Sequence, residues 1–200
     1  MDPHITITNV LPLDELLLAY ASGWFPMADD DGQVRWYSPD PRGVLPLDAF
    51  HVPRRLSRTI RRSGFDVRTD TAFRRVIEAC AADREEGTWI SDEIVDTYVA
   101  LHDRGFAHSI EVWQAGSLVG GLYGVRLLGA FFGESMFHAV TDASKVALAA
   151  LVDRLRQRGF QLLDVQWVTP HLERFGAVEV SRREYLRTLK KALETTAGEW

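Results

Sequence analysis

Residues 118–167 constrain the fold most tightly, because there the hydrophobic period changes from two to about 3.6 and back again. Residues 118–125 and 130–137 read as two strands joined by a short turn ending at Gly129. Leu148, Leu151, Val152 and Leu155 then recur at helical spacing, with Thr141, Asp142 or Ser144 as a cap and Gly159 as a C-terminal stop. Residues 160–167 return as a strand of buried type. A strand–helix–strand crossover places its two strands parallel, and ligands collect at the carboxyl ends of such strands.

Three polar residues in this unit need an explanation. Strict alternation puts Ala130, Phe132, Glu134 and Met136 on one face of the second strand, and Phe131, Gly133, Ser135 and Phe137 on the other. Asp164 and Gln166, two apart, point the same way in the last strand. A carboxylate in an apolar strand costs on the order of several kcal/mol unless it is paired or hydrogen-bonded. Either Asp164 and Gln166 sit solvated where the strand exits into the 168–171 loop, or they share a crevice with Glu134.

The 200 residues have room for one large or two small domains. Residues 1–50 differ in texture from residues 51–200, and the chain is expected to divide there. The net charge of −5 gives no global sign of nucleic-acid binding, so any such surface must be local. Cys80 is the only cysteine, which excludes an intrachain disulfide and fits a reducing compartment. No apolar run approaches a membrane span and residues 1–12 carry no leader pattern, so a cytoplasmic protein is expected.

Asp14 can cap a short helix through Tyr20, with Leu16, Leu17 and Tyr20 inward. An extended stretch rich in aromatics and proline follows: Trp24-Phe-Pro, an acidic turn at 29–32, and WYSPDPR ending at Arg42. Its aromatics can cover a core or line an opening. From Pro53 the chain is dense in arginine, and only three of its 23 basic residues are lysines. Helical spacing puts Arg54, Arg58 and Arg62 on one face, with Leu56 and Ile60 opposite and Arg55 and Arg61 beside them. Such a face is either simply solvated or a phosphate-binding surface, for which guanidinium is the better group. A second helix is expected from Thr71, burying Phe73, Val76, Ile77 and Cys80. A loop at 83–90 precedes a third helix capped by Ser91, with Ile94, Val95, Tyr98 and Leu101 inward. A strand at 108–114, a short helix after His171, a strand at 178–180 and a terminal helix at 183–197 complete the reading.

Several chemistries drop out. The six histidines show no paired metal-ligand spacing, and there is no P-loop, G-x-S-x-G or G-x-G-x-x-G. Neither metal nor cofactor is expected. Cys80 falls on an apolar helix face, the place of a small core residue.

GGLYGV, FFGESMF, ASK, LLDVQ and the H-L-x-x-x-G-A run at 171–177 resemble the leucyl/phenylalanyl-tRNA–protein transferases, as do WYSPDPR, DREEGTWI and AHSIEVW upstream. The matches lie in order from about residue 13 to residue 187. The resemblance implies an α+β fold, with a small N-terminal domain followed by a GNAT-like mixed β-sheet domain and flanking helices. It implies transfer of Leu or Phe, also Met, from aminoacyl-tRNA to the α-amine of proteins beginning with Arg or Lys, which marks them for N-degron proteolysis. Such a donor ester is already activated, so no covalent nucleophile is needed. By the resemblance, Asp164 with Gln166 orients or deprotonates the attacking amine, and Glu134 holds the acceptor's amine or basic side chain. Trp89, Tyr98, Leu122, Phe131, Met136, Ser144, Leu151 and Leu155 are the expected substrate-binding residues. Arg54, Arg55, Arg58, Arg61 and Arg62 are the expected tRNA contacts, and the protein is expected to be a monomer.

Two features depart from the family's usual pattern: the chain begins almost directly at residues 11–14, and F-P-W reads Phe25-Pro26-Met27. The sheet order is also that of CoA-dependent acetyltransferases, but those carry a glycine-rich turn before the helix. Here residues 138–145 hold no glycine and include Asp142. The rival readings are a related transferase acting on Asp or Glu N-termini, an N-acetyltransferase, and a tRNA-binding module without activity.

Overall fold

The structure, a computed structural model, describes residues 11–29, 33–82 and 88–200. Among them the strands Arg42–Val44 (β3), Asp66–Thr69 (β4), Ala107–Gln114 (β5), Ser117–Leu127 (β6), Ala130–His138 (β7), Leu162–Gln166 (β8) and Val178–Val180 (β9) form one mixed sheet. Its order is β4-β5-β6-β7-β8-β3-β9. A separate hairpin, Phe25–Ala28 (β1) with Val34–Tyr37 (β2), follows the helix Leu13–Ala21 (α1). The expected crossover is present: β7 runs through Ala143–Gln157 (α5) into β8, and the two strands pair in parallel from Ala130↔Leu162 to Phe132↔Asp164.

Helices cover both faces of the sheet. On one face, α1, Phe73–Ala82 (α3), Asp92–Asp103 (α4) and Arg182–Leu193 (α7) bury Tyr20, Val76, Ile77, Tyr98, Tyr185 and Leu189 against Tyr123, Val125 and Phe132. On the other, α5 buries Val146, Leu151 and Leu155 against Ile110, Leu122, Phe131 and Leu163, and Leu56 of Arg54–Arg62 (α2) joins this core. The short helix Pro170–Glu173 (α6) adds Leu172 to it. Although β3 falls within residues 1–50, it is an interior strand of the large sheet, hydrogen-bonded to β8 on one side and β9 on the other.

Local chemistry explains where the elements begin. Ser91 caps α4 by accepting from the Ile94 N–H, as its position suggests. The second helix begins at Phe73 rather than Thr71, because the Thr71 and Ala72 N–H groups donate to the fully buried Glu111 carboxylate at 2.8 Å. Asp14 does not cap α1, whose N-cap is Pro12. At the start of α5 the N-cap is Asp142, at φ 69°, and its carboxylate pairs with Lys145 instead of a helix N–H. Ile60 of α2 does not turn fully inward and remains 41% exposed. Most of the expected acidic turn (residues 30–32) and of the loop at 83–90 (residues 83–87) lies outside the described residues.

The simple alternation expected along β7 breaks at one residue. Tyr123 pairs with Ser135 and Gly124 with Gly133, so Glu134 is the extra residue of a β-bulge. Beyond the bulge the faces exchange: Phe132 and Phe137 pack in one core, while Phe131 and Met136 pack in the other. Met136 therefore does not share a face with Phe132, whereas Glu134 stays on the Phe132 side, where it meets Tyr20.

Candidate active site

The parallel pairing between β7 and β8 ends at Phe132↔Asp164, and a cavity of about 390 Å³ opens beyond that point. Gly133, Glu134, Ser135 and Met136 line it from β7, and Val165 and Gln166 from β8. Leu122, Leu148, Leu151, Leu163 and Leu172 supply its apolar wall, while Phe25, Met27, Trp89 and Trp167 add the aromatic and thioether surface. This is the carboxyl end of two parallel strands, where open α/β sheets bind ligands.

Asp164 lies behind this wall. It is fully buried, and four hydrogen bonds engage its carboxylate. Arg42 Nε and Nη2 approach its two oxygens at 3.0 and 2.7 Å, the Tyr185 hydroxyl donates to Oδ2 at 2.6 Å, and the Gln166 N–H donates to Oδ1 at 2.9 Å. Arg42 is itself fully buried between the rings of Phe25 and Tyr185, at 4.7 and 4.5 Å, and donates a third bond to the Gly23 carbonyl. Desolvation opposes the guanidinium charge, but Asp164, with Tyr185 and Glu134 adding to it, raises the Arg42 pKa overall. Burial and the adjacent Asp164 charge push the Tyr185 phenol far above its usual range, so it remains a donor. A carboxylate engaged by four donors holds its neighbours in place.

What Asp164 holds is the turn at Gln166. That residue sits at φ 57°, a region sparsely used by residues other than glycine, and the Trp167 N–H bonds back to the Val165 carbonyl at 2.6 Å across a three-residue turn. The turn interrupts the alternation that makes Asp164 and Gln166 a simple same-face pair. On the other side Gly43 backs it, since a Cβ there would stand 2.7 Å from the Trp167 carbonyl carbon. The Gln166 side-chain nitrogen ends 3.5 Å from Glu134 Oε1, at the limit of hydrogen-bonding distance.

Glu134 is a different kind of carboxyl. The Tyr20 hydroxyl donates to Oε1 at 2.8 Å and also pairs with the Tyr98 hydroxyl behind it. Burial pushes the Glu134 pKa up to about 8; the Tyr20 bond pulls it down and the Asp164 charge raises it further. Burial also raises both tyrosines well above the usual phenol range, so they stay protonated beside the carboxyl.

Of the expected site residues, the structure brings Glu134, Gln166, Trp89, Leu122, Met136 and Leu151 to the cavity wall. Asp164 and Tyr98 stand behind it, Asp164 bonded to the Gln166 N–H and Tyr98 to the Tyr20 hydroxyl. Phe131, Ser144 and Leu155 are buried elsewhere and do not line the cavity. Arg54, Arg55, Arg58, Arg61 and Arg62 all lie exposed on α2, which packs against α5. Arg55 is close enough to act on Asp142, the partner of Lys145. Lys145 in turn acts with burial and Arg174 to lower the pKa of His171, which lines the cavity.

Sequence reasoning did not single out Arg42, Tyr185, Tyr20 or His171 for the site. The signal for the first two was the requirement that a buried Asp164 have a partner, but nothing local connects partners 122 and 21 residues away.

Antiparallel β5–β6–β7 followed by α5 and a parallel β8, with an apolar cavity where the parallel pair separates, defines a mixed α/β fold of GNAT-like strand order. Within that class the chain belongs to the leucyl/phenylalanyl-tRNA protein transferase family, a family of aminoacyltransferases: the family's sequence model matches residues 44–190, and the model of its N-terminal domain matches residues 10–40. The leucyl/phenylalanyl-tRNA–protein transferase of Herpetosiphon aurantiacus is 58% identical over 192 residues, covering 96% of this chain and 99% of that protein. The one from Salinibacter ruber is 57% identical over 188 residues, covering 94% and 82%. Among solved structures, L-PGS from Bacillus licheniformis aligns over 90% of this chain and 70% of that one, at 11% identity and a TM-score of 0.48.

Proposed function

We propose that the protein transfers Leu or Phe, also Met, from aminoacyl-tRNA to the α-amine of proteins whose first residue is Arg or Lys, marking them for N-degron proteolysis. It is read as a monomeric, cytoplasmic enzyme. The observation that carries this reading is the cavity itself: a leucine-rich wall that brings the Glu134 carboxyl and the Gln166 amide together where β7 and β8 part. The apolar wall suits a branched or aromatic donor side chain. A pocket of this kind separates such side chains by roughly 1–3 kcal/mol per methylene, enough for preference but not for strict exclusivity.

The roles follow from the two carboxyl environments. Asp164, bound by Arg42 and Tyr185, holds the Gln166 turn and is a positioning residue. Glu134, with its pKa near that of an N-terminal amine, is the group suited to accept that amine's proton. The neutral nitrogen then attacks the ester carbonyl, the new C–N bond forms, and the ester C–O bond to the tRNA ribose breaks. The ribose oxygen leaves with a proton, and the Gln166 amide orients the reacting groups. Positioning supplies much of the rate, because the ester is already activated. The phosphate backbone is assigned to the α2 arginines, with Lys145 between them and the cavity.

The CoA-dependent alternative is weakened by Asp142, whose charge stands at the α5 N-terminus where a pyrophosphate would bind. Labelled leucyl-tRNA, phenylalanyl-tRNA or acetyl-CoA, offered with peptides beginning Arg, Lys, Asp or Glu, tests the assignment. Transfer from either tRNA to Arg and Lys peptides alone is expected. Transfer to Asp or Glu peptides only, or from acetyl-CoA, overturns it.

A further inference from the structure

Away from this site, three elements bring together ligand-type side chains that the proposed reaction does not use. Asp70 follows β4, His102 lies in the last turn of α4, and His108 is in β5. One donor atom from each lies within 4.8 Å of the other two. We propose that Asp70, His102 and His108 bind a divalent transition-metal ion of the zinc class, with the Ala107 carbonyl as a fourth donor.

The distances suit such an ion. His108 Nδ1 stands 2.8 Å from Asp70 Oδ2, and His102 Nδ1 stands 3.9 Å from Asp70 Oδ1 and 2.8 Å from the Ala107 carbonyl oxygen. Ligands of a tetrahedral zinc ion lie roughly 3.3 Å apart, given metal–ligand bonds of about 2.0–2.2 Å. Small shifts would therefore seat the ion. Two imidazoles with a carboxylate and a carbonyl favour zinc or a neighbouring late transition metal over magnesium or calcium, which take all-oxygen shells.

Hydrogen-bond accounting at His108 gives a second, independent argument. Both of its ring nitrogens face oxygen acceptors: Nδ1 the Asp70 carboxylate, and Nε2 the Gly105 carbonyl at 3.2 Å. A neutral imidazole has only one N–H to donate. A metal on Nδ1 leaves the proton on Nε2 for Gly105, which is how metal-bound histidines are commonly oriented. The Ser109 N–H holds Asp70 Oδ1 at 2.8 Å, and Trp200 stacks on the His108 ring with centroids 4.3 Å apart. Asp70 itself is kept at φ 58°, an uncommon conformation for a residue other than glycine. An ion here would fasten the end of α4 to the β4–β5 pair. Because α4 carries Tyr98, it would steady the Tyr98–Tyr20–Glu134 chain at the cavity.

The rival is a second proton on His108 in place of the metal, and a titration separates the two. Chelator-treated full-length protein is titrated with Zn²⁺ by calorimetry, with melting temperature and X-ray absorption followed in parallel. One equivalent is expected to bind, raise the melting temperature and show two imidazole ligands, with no competition from excess Mg²⁺. Asp70→Asn keeps an oxygen acceptor for the Ser109 N–H and turns its amide nitrogen to His108, but supplies a poor ligand, and should weaken binding by at least about tenfold. His102→Gln serves as the second variant if that protein does not fold. Absence of saturable Zn²⁺ binding by the wild-type protein overturns the proposal. Unchanged affinity in the folded variants does so too.

Discussion

The Arg42 guanidinium meets the Asp164 carboxylate through two bonds of 3.0 and 2.7 Å, with neither side chain exposed to solvent. Removing one member of a buried ion pair leaves an uncompensated charge. Arg42→Met should therefore destabilise the fold by about 3–5 kcal/mol, measured by denaturant unfolding. Tyr185→Phe, which removes one bond to the same carboxylate, should cost about 1.5–3 kcal/mol. A smaller effect of Arg42→Met than that range would mean that Asp164 is not held as a buried anion.

Glu134 makes a pH-dependent contribution of opposite sense to that of a salt-bridged acid. Its folded pKa, about 8, lies above the ordinary carboxyl value of 4.5, so the folded state holds the proton more tightly than the unfolded chain. That stabilisation is complete below the unfolded value and is lost as pH rises through the folded one. Relative to the wild type, Glu134→Gln should gain stability as pH is raised from about 5 to about 9. Melting temperatures of the two proteins across that range test this, and parallel curves would contradict it.

At Gln166 the backbone and the side chain can be tested separately. Glycine accepts φ 57° without strain, so Gln166→Gly should leave stability within about 1 kcal/mol of wild type while removing the amide from the cavity. Turnover should fall although circular dichroism and melting remain near normal. Undiminished transfer would remove Gln166 from the mechanism.

Because Arg54, Arg58 and Arg62 are exposed on α2, changing all three to Gln should leave the fold intact. Each phosphate that an arginine no longer neutralises flattens the slope of log affinity against log salt by up to roughly 0.7–0.9. The slope for aminoacyl-tRNA binding should therefore flatten by about 2–3 units in the triple variant if all three arginines meet phosphate. Discrimination between leucyl- and phenylalanyl-tRNA should survive, since the phosphates carry no base information. An unchanged slope would return this helix to a solvated face.

How much of this was legible in the sequence depends on the range of the interaction involved. Periodicity located β6, β7, α5 and β8, because each buries a regular face, and Ser91 announced α4 through a local cap. Glu134 and Gln166 could be picked out as polar residues in apolar strands. Their geometry could not, because a bulge and a left-handed turn both break the alternation from which faces are read. The partner of Asp164 was hidden for a different reason: Arg42 reaches it only once β3 inserts beside β8, a pairing set by tertiary packing. The placement of β3 inside the sheet likewise leaves no sign in the local texture of residues 1–50. The Asp70, His102 and His108 cluster was invisible to a spacing search, since its members lie on three separate elements.

In the proposed reaction Glu134 takes the acceptor's proton while Asp164 only holds the turn. This is tested most directly by single-turnover transfer from leucyl-tRNA to an Arg-initiated peptide, measured across pH for the wild type and for Glu134→Gln. The wild-type rate should rise towards pH 8, and the folded variant should be slowed by about 10²–10⁴-fold. A folded Glu134→Gln protein that keeps the wild-type rate and pH profile would contradict it.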